Sequence, residues 1–328
     1  MQIVRETLTR LEVGPPKSFA NLTLYPLIGG GEQAPDYATL DEAIEQGWVQ
    51  VREVSASGSV PELTVANKGD RAVFMMDGEE LVGAKQNRVL NLTILAPAGK
   101  TIVIPVSCVE QGRWATRSVG MASSPNTLYS KARLAQMASI SESYSRRGRP
   151  TSDQGALWDA IACEAASLGV ASPTGAMRDI YAQHHRRVGD YERAFEAVDG
   201  QCGAIFAIGD RLVGLELFEH PDVLRKMLRK IVRSYALDAI QAGDSDTTPT
   251  AKAAGAFLAE VADGRIESFP AVGSGEDARI SGRRVTGAAL VADGRVVHLC
   301  AFRTEGERGN DPRAGRFGRI MRASLRRR

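Results

Sequence analysis

Between residues 73 and 114 the chain reads VFMMDGEELVGAKQNRVLNLTILAPAGKTIVIPVSCVEQGRW. Three glutamates in it, Glu79, Glu80 and Glu110, are of the type that serves as general base, general acid or acceptor from a hydroxyl. Arg88 and Arg113 are suited to an anionic group, and Lys85 adds a point charge. Gln86 and Asn87 bring amide donors and acceptors, Cys108 a thiol, and Trp114 a face on which a base could stack. A sheet needs the apolar runs between these groups, but not so many functional groups crowded among them. The crowding points to a polar site on a β scaffold.

In an extended segment, neighbouring side chains point to opposite faces. Glu79 and Glu80 are therefore expected on different sides, whereas Cys108 and Glu110 share a face, as do Lys85 and Asn87. A site assembled from one glutamate, Lys85, Asn87 and Glu110 fits that geometry. The same residues also suit a plainer role, in which Glu79 or Glu80 pairs with Lys85 or Arg88 to hold a turn. Cys108 has no histidine near it in sequence to depress its pKa, so a buried inert thiol is expected rather than a nucleophile.

The elements that must position these groups can be read from periodicity. The first 120 residues read mostly as strands, among them Asn21–Leu27, Trp48–Val54, Leu63–Ala66, Ala72–Met76, Val89–Ala96 and Thr101–Val106. Within 48–54, Val49, Val51 and Glu53 alternate against Trp48, Gln50 and Arg52. Tyr37–Gln46 reads as a short helix capped by Thr39 or Asp41. Asp77-Gly78 and Ala98-Gly99 read as hairpin turns. The middle is helical over Asn126–Ser145, Ser152–Ala166 and from Pro173 to about Val198, with a break at Gly189. Gly203–Phe218 reads as a hairpin through Gly209-Asp210. Helices follow at Pro221–Ala242 and Pro249–Val261. The strands Arg265–Phe269, Asp277–Ile280, Arg284–Val291 and Arg295–Ala301 close the pattern. The expected class is α+β, with β-rich, sandwich-like, mostly antiparallel sheets from both ends of the chain and helices packed alongside. A single interleaved domain over 9–305 with a basic tail at 306–328 is the expected organisation, and a split near residue 122 is the alternative.

Composition narrows the classes. At 328 residues, 43% hydrophobic and 24% charged, the chain suits a globular fold. A net charge of +2 gives no global pull toward nucleic acid or membrane. No window approaches the ~20 apolar residues of a membrane span. The opening MQIVRETLTR has charges throughout and no apolar h-region, so no signal peptide is expected. Cys108, Cys163, Cys202 and Cys300 are far apart and lack ligand spacing, which predicts reduced thiols in a cytoplasmic protein and no structural zinc. His184 and His185, adjacent on a helix, point about 100° apart and suit one metal poorly. His220 precedes Pro221 at a helix start, where an anion or a plain loop is equally at home. The dinucleotide, P-loop, nucleophile-elbow and zinc-protease patterns all fail, so the cofactor stays open. The tail places Arg313, Arg316, Arg319 and Arg322 every third residue, a basic arm able to touch nucleic-acid phosphates or simply a solvated end.

Several phrases together resemble one family: NLTLYPL (21–27), DGEELVGAKQNRVLN (77–91), IPVSCVEQGRW (104–114), QGALWDAI (154–161), SPTGAM (172–177), GAIFAIGDRLVGLELFEHPD (203–222), RSYALDA (233–239) and VTGAALVADGRVVHLCAF (285–302). The resemblance is to the domain associated with ADP-ribosylglycohydrolases and rhodanese-phosphatase-superfamily proteins, over about residues 9–303. It implies a role near ADP-ribose or NAD-derived metabolism and supplies no catalytic residues. It adds a second polar cluster, Arg233, Ser234, Tyr235 and Asp238, in which Ser234 and Asp238 lie on one helical face.

Two functional expectations follow. In the first, a small-molecule site recognises, and with turnover hydrolyses, an ADP-ribose-like or nucleotide ligand. Arg88 and Arg113 contact phosphate, Trp114 stacks, and Glu79, Glu80 or Glu110 supplies the carboxylate. In the second, the chain is a non-catalytic binding module and the polar cluster is structural. Neither expectation involves a membrane, and the oligomeric state stays open.

Overall fold

The computed structural model describes residues 2–31 and 33–304, so the expected basic tail at 306–328 lies outside the described residues. Helix α1 (Gln2–Thr9) is followed by β1 (Glu12–Val13), β2 (Lys17–Phe19), β3 (Leu22–Ile28) and β4 (Tyr37–Thr39). β4 runs straight into α2 (Leu40–Glu45), where the Thr39 side chain caps the Glu42 amide and Glu42 reaches back to the Thr39 amide. The helix expected over 37–46 is thus half strand. Then come β5 (Val49–Glu53), β6 (Glu62–Asn67), β7 (Ala72–Met75), β8 (Glu79–Gly83), β9 (Arg88–Leu90), β10 (Ile94–Ala96), β11 (Thr101–Cys108) and β12 (Met121–Thr127). The central helices are α3 (Ser130–Arg147), α4 (Gln154–Ser167), α5 (Met177–Gln183) and α6 (His185–Ala194). The break expected at Gly189 falls instead at His184, and Gly189 stays helical. β13 (Gln201–Ile208), β14 (Arg211–Phe218), α7 (Pro221–Ala242), α8 (Ala251–Ala262), β15 (Arg265–Pro270), β16 (Glu276–Ser281), β17 (Val285–Ala292) and β18 (Arg295–Arg303) complete the described chain.

The fold is α+β, and all but one of its strand pairings are antiparallel. One sheet of nine strands joins both ends of the chain in the order β1-β3-β13-β14-β18-β17-β16-β15, with β2 also on β3. α7 covers one face, where Phe206, Phe218, Cys300 and Phe302 meet Leu224, Ile231 and Tyr235. α1 and α8 cover the other, where Tyr25, Ile205, Leu215 and Leu299 meet Val4, Leu8, Phe257 and Val261. Helices therefore lie on both faces of this sheet. The remaining strands form a closed barrel, β11-β6-β5-β12-β8-β9, and a three-stranded sheet, β10-β7-β4. The barrel is filled by Val49, Val51, Leu63, Val65, Leu81, Leu90, Ile104 and Val106. Closure removes the unpaired edges that six short strands would otherwise expose.

Asp77-Gly78 and Ala98-Gly99 are turns, but not hairpins between paired strands. β7 and β10 pair with each other, while β8 and β11 belong to the barrel. Each turn therefore carries the chain from one sheet to another. Gly209-Asp210 does close a hairpin, β13 to β14. No described helix is long and apolar enough to cross a membrane.

Candidate functional site

Alternation along the barrel strands fixes which side chains meet at one of its mouths. Val49 and Val51 face the barrel core, so Glu53, next on that face, points the same way at the strand end. Leu90 faces the core, and so does Arg88 two residues earlier. Arg88 is in register with Leu81 on one side and Cys108 on the other. One layer at this end of the barrel thus contains Glu53, Leu81, Arg88 and Cys108, a charged rim on an apolar stack.

Arg88 is fully buried. Its Nη1 donates to Gln86 Oε1 at 3.0 Å, and its guanidinium carbon lies 5.7 Å from the centroid of the Trp114 ring. Nε and Nη2 have no hydrogen-bond partner among the described residues. These two donors form the side-on fork of a guanidinium, the geometry that grips a carboxylate or phosphate with two parallel bonds. Burial drives the pKa of Arg88 below its ordinary value. A buried guanidinium with its fork empty is costly, and an anion seated on it would remove much of that cost.

Glu53 faces the same end. Its Oε1 accepts from the Lys85 amide at 3.2 Å, and its buried Oε2 has no partner. Lys85 is half-buried, with Nζ 5.4 Å from the Trp114 ring centroid. Trp114 itself is 47% exposed. The β5–β6 loop folds over these groups through a turn in which the Gly58 amide donates to Ser55 O at 3.0 Å. Gly58 has φ +78°, and a Cβ there would stand 3.1 Å from Lys85 Cδ, 3.2 Å from Glu53 Oε2 and 3.3 Å from Trp114. Glycine lets the loop close on the mouth without filling it.

A second set of groups braces this mouth from behind. Arg113 Nη2 donates to Glu110 Oε2 at 2.7 Å and Asn87 Oδ1 at 3.2 Å. Its Nη1 donates to Ala84 O at 2.9 Å and Ala115 O at 2.8 Å. Glu110 also accepts from the Asn87 amide and from Thr174 Oγ1, each at 3.2 Å. Burial works against the Glu110 charge, but Arg113 and the Asn87 amide hold its carboxyl below the usual range. Gln86 Nε2 donates to Glu110 O at 3.1 Å. Arg113 is therefore engaged through both Nη atoms in pinning the 83–87 turn to the 110–115 segment. Cys108 is buried and its thiol is pushed up by that burial. The Gln154 side chain clamps the Cys108 backbone, accepting from its amide at 2.7 Å and donating to its carbonyl at 2.8 Å.

The other sequence candidates lie apart from the mouth. Glu79 is buried against α7, where Lys230 Nζ donates to it at 2.6 Å and to Asp41 at 2.7 Å. Glu79 and Asp41 hold the Lys230 pKa above its usual value despite the burial that opposes its charge. Glu80 accepts from Ser124 Oγ at 2.7 Å and Asn126 Nδ2 at 3.1 Å, and burial raises its carboxyl. Glu79 and Glu80 thus enter separate environments, as the alternation requires. Arg233 bonds Asn126 Oδ1 at 2.6 Å and Glu192 at 2.8 Å. Ser234 Oγ donates to Leu128 O at 2.7 Å, and Asp238 accepts from Ser130 Oγ and from the Lys131 amide at 2.9 Å. Arg233 thus ties α7 to β12 and α6, while Ser234 and Asp238 tie it to the start of α3.

One buried charge network escaped the sequence reading. Arg133 bridges Asp77 at 3.1 Å and Glu216 at 2.5 Å, and Tyr235 donates to Glu216 at 3.0 Å. His298 lies 3.4 Å from Glu216, and Cys300 donates to Asp77 at 3.4 Å. The donor atoms of Asp77, His298 and Cys300 fall within 4.8 Å of one another, which is metal-ligand spacing. Two contacts make a cation a poor fit there. Arg133 already places a positive charge on both Asp77 oxygens, at 3.2 and 3.1 Å. Thr93 Oγ1 sits between Asp77 and His298, 3.1 Å from the first and 2.9 Å from the second. The network reads as a lock joining barrel, α3 and the large sheet.

Glu53 and Gly58 are the mouth residues that sequence reasoning passed over. Glu53 had a signal: an acidic residue continues the apolar stripe Val49, Val51. Gly58 had none beyond its place in a small-residue loop.

Searches against curated proteins and against solved structures found no match. The model of the ARG and Rhodanese-Phosphatase-superfamily-associated Protein domain matches residues 10–302, and the chain belongs to that family.

Proposed function

We propose that the barrel mouth recognises a phosphate-bearing small molecule of the nucleotide or ADP-ribose-like class. The observation that carries this reading is the empty fork of Arg88, a fully buried guanidinium whose Nε and Nη2 face no protein acceptor among the described residues. Phosphate is a fitting occupant because the fork offers two parallel donors in a low-dielectric setting. Trp114, half-exposed and adjacent, offers the aromatic face that a base would stack on. Lys85 adds a second cation on the same ring. Mouths of β-barrels are common places for such sites. A cytoplasmic setting belongs to the same proposal.

Recognition without turnover is favoured over hydrolysis by one specific observation. Of the three glutamates named as general base, Glu79 and Glu110 are each committed to an ion pair, and Glu80 lies apart from the mouth, accepting from Ser124 and Asn126. A general base needs to be free to take a proton.

Calorimetric titration of the protein with ADP-ribose, NAD and AMP tests the reading. Binding that weakens at least tenfold in Arg88→Lys supports it, since an ammonium cannot reproduce the fork. Absence of heat with all three, in protein that melts normally, overturns it.

A further inference from the structure

Arg88 does not stand alone at the mouth. Glu53 reaches the same end of the barrel from β5, and its Oε2 is buried without a hydrogen-bond donor. No cation of the described residues lies within ion-pair distance of that oxygen, and its sister Oε1 is already used by the Lys85 amide. An ionised carboxylate is acceptor-only, so Oε2 needs a donor. The loop above it offers none: Gly58 packs there without a side chain, at φ +78°. One end of the barrel therefore holds a two-donor fork and an acceptor, both buried and without a hydrogen-bond partner among the described residues, and the Glu53 charge acts on Arg88.

We infer that Glu53 is a specificity-determining residue that accepts a hydrogen bond from a hydroxyl of the ligand, so that the site selects phosphorylated polyols over simple phosphates. This rests on the anion reading of Arg88 given above. A bare anion would satisfy Arg88 and leave Glu53 facing added negative charge. A ligand carrying a hydroxyl near its phosphate satisfies both at once. The carboxylate repels the wrong anions and the hydroxyl rewards the right ones, the two halves of selectivity. Hydrogen bonds to charged acceptors are worth about 1.5–3 kcal/mol, which corresponds to roughly 10- to 100-fold in affinity.

The experiment compares ribose 5-phosphate with propyl phosphate by calorimetry on the full chain, in wild type, Glu53→Gln and Arg88→Lys. The Glu53→Gln side chain keeps a carbonyl that can accept from the Lys85 amide, and a thermal melt checks that the variant folds. Wild type is expected to prefer ribose 5-phosphate by roughly 10- to 100-fold. Glu53→Gln is expected to shrink that preference by weakening ribose 5-phosphate while leaving propyl phosphate equal or tighter. Arg88→Lys is expected to weaken both. Equal affinity of wild type for the two phosphates, or a preference that survives Glu53→Gln, overturns the inference while Arg88-dependent binding leaves the anion site standing. Loss of all phosphate binding in folded wild type removes both.

Discussion

The Arg88 guanidinium lies 5.7 Å from the centroid of Trp114, so a half-exposed aromatic lies against a fully buried cation at the barrel end. The ring screens one face of the cation from water without supplying an acceptor. Such stacking contributes about 0.5–2 kcal/mol, which is small against the cost of burying an unpaired charge. The residual deficit is what the proposed anion would relieve.

Trp114→Ala separates ligand contact from folding. The side chain is 47% exposed, so its loss is expected to cost the fold little. If a base stacks on the ring, AMP affinity should fall by about 1–3 kcal/mol, while phosphate without a base is little affected. Parallel calorimetry with AMP and ribose 5-phosphate checks this.

Gly58→Ala tests the loop that closes over the mouth. The new methyl meets Lys85, Glu53 and Trp114 at 3.1–3.3 Å and sits on a residue with φ +78°. A loss of about 1–2 kcal/mol in stability is expected from the backbone alone. Ligand affinity should drop further, because the loop must lift. Chemical denaturation paired with titration distinguishes the two effects.

Lys230→Met probes the joint between barrel and α7. Without the ammonium, Glu79 is left buried without its counter-charge, at an expected cost of about 3–5 kcal/mol. The double variant with Glu79→Leu should recover much of that loss, since the one carboxylate then left without Lys230, Asp41, is half-exposed. A double-variant cycle in urea gives the coupling directly. Recovery of nothing would mean that Asp41 or Ser123, the other Lys230 partners, dominates the pair.

Glu164 sets a pH dependence. It is buried on α4 with Oε1 unpartnered, and burial, then the charge of Asp238, push its carboxyl up to about 8. The unfolded chain releases this proton near the ordinary value of 4.5. Between those limits the folded state holds more protons than the unfolded state. Stability from this group is therefore fully present below about 4.5, declines as pH rises, and levels off above about 8. The slope is at most about 1.4 kcal/mol per pH unit. Denaturant midpoints between pH 5.5 and 8.5 should fall in wild type and flatten in Glu164→Gln; a parallel decline in both proteins would assign the effect elsewhere.

Much of the architecture was legible because it is local. α7 spans Pro221–Ala242, the bounds that its proline and its apolar spacing predict. Alternation likewise separated Glu79 from Glu80. What stayed hidden was long-range pairing. Nothing in the periodicity of 48–127 distinguishes strands that roll into a barrel from strands that stack as a second sheet, since both alternate. The buried network was hidden for the same reason: Asp77, Arg133, Glu216 and His298 are scattered over more than 200 positions, and only the folded chain joins them. At the mouth, the sequence could name Arg88 and Trp114 but could not tell which arginine keeps a two-donor fork free, since Arg113 leaves only Nε unpartnered. That depended on Arg113 being drawn into Glu110, Asn87 and two carbonyls.

β3 finds its long partner only in β13, whose residues 201–208 lie about 175 positions downstream. During synthesis the barrel strands, all within 49–127, can pair with one another long before the large sheet has its second full strand. The β3–β13 pairing therefore carries the loop-closure cost of a distant contact, which the barrel pairings within 49–127 do not. Until residues 201–208 are made, β3 has only the short β1 and β2 to pair with.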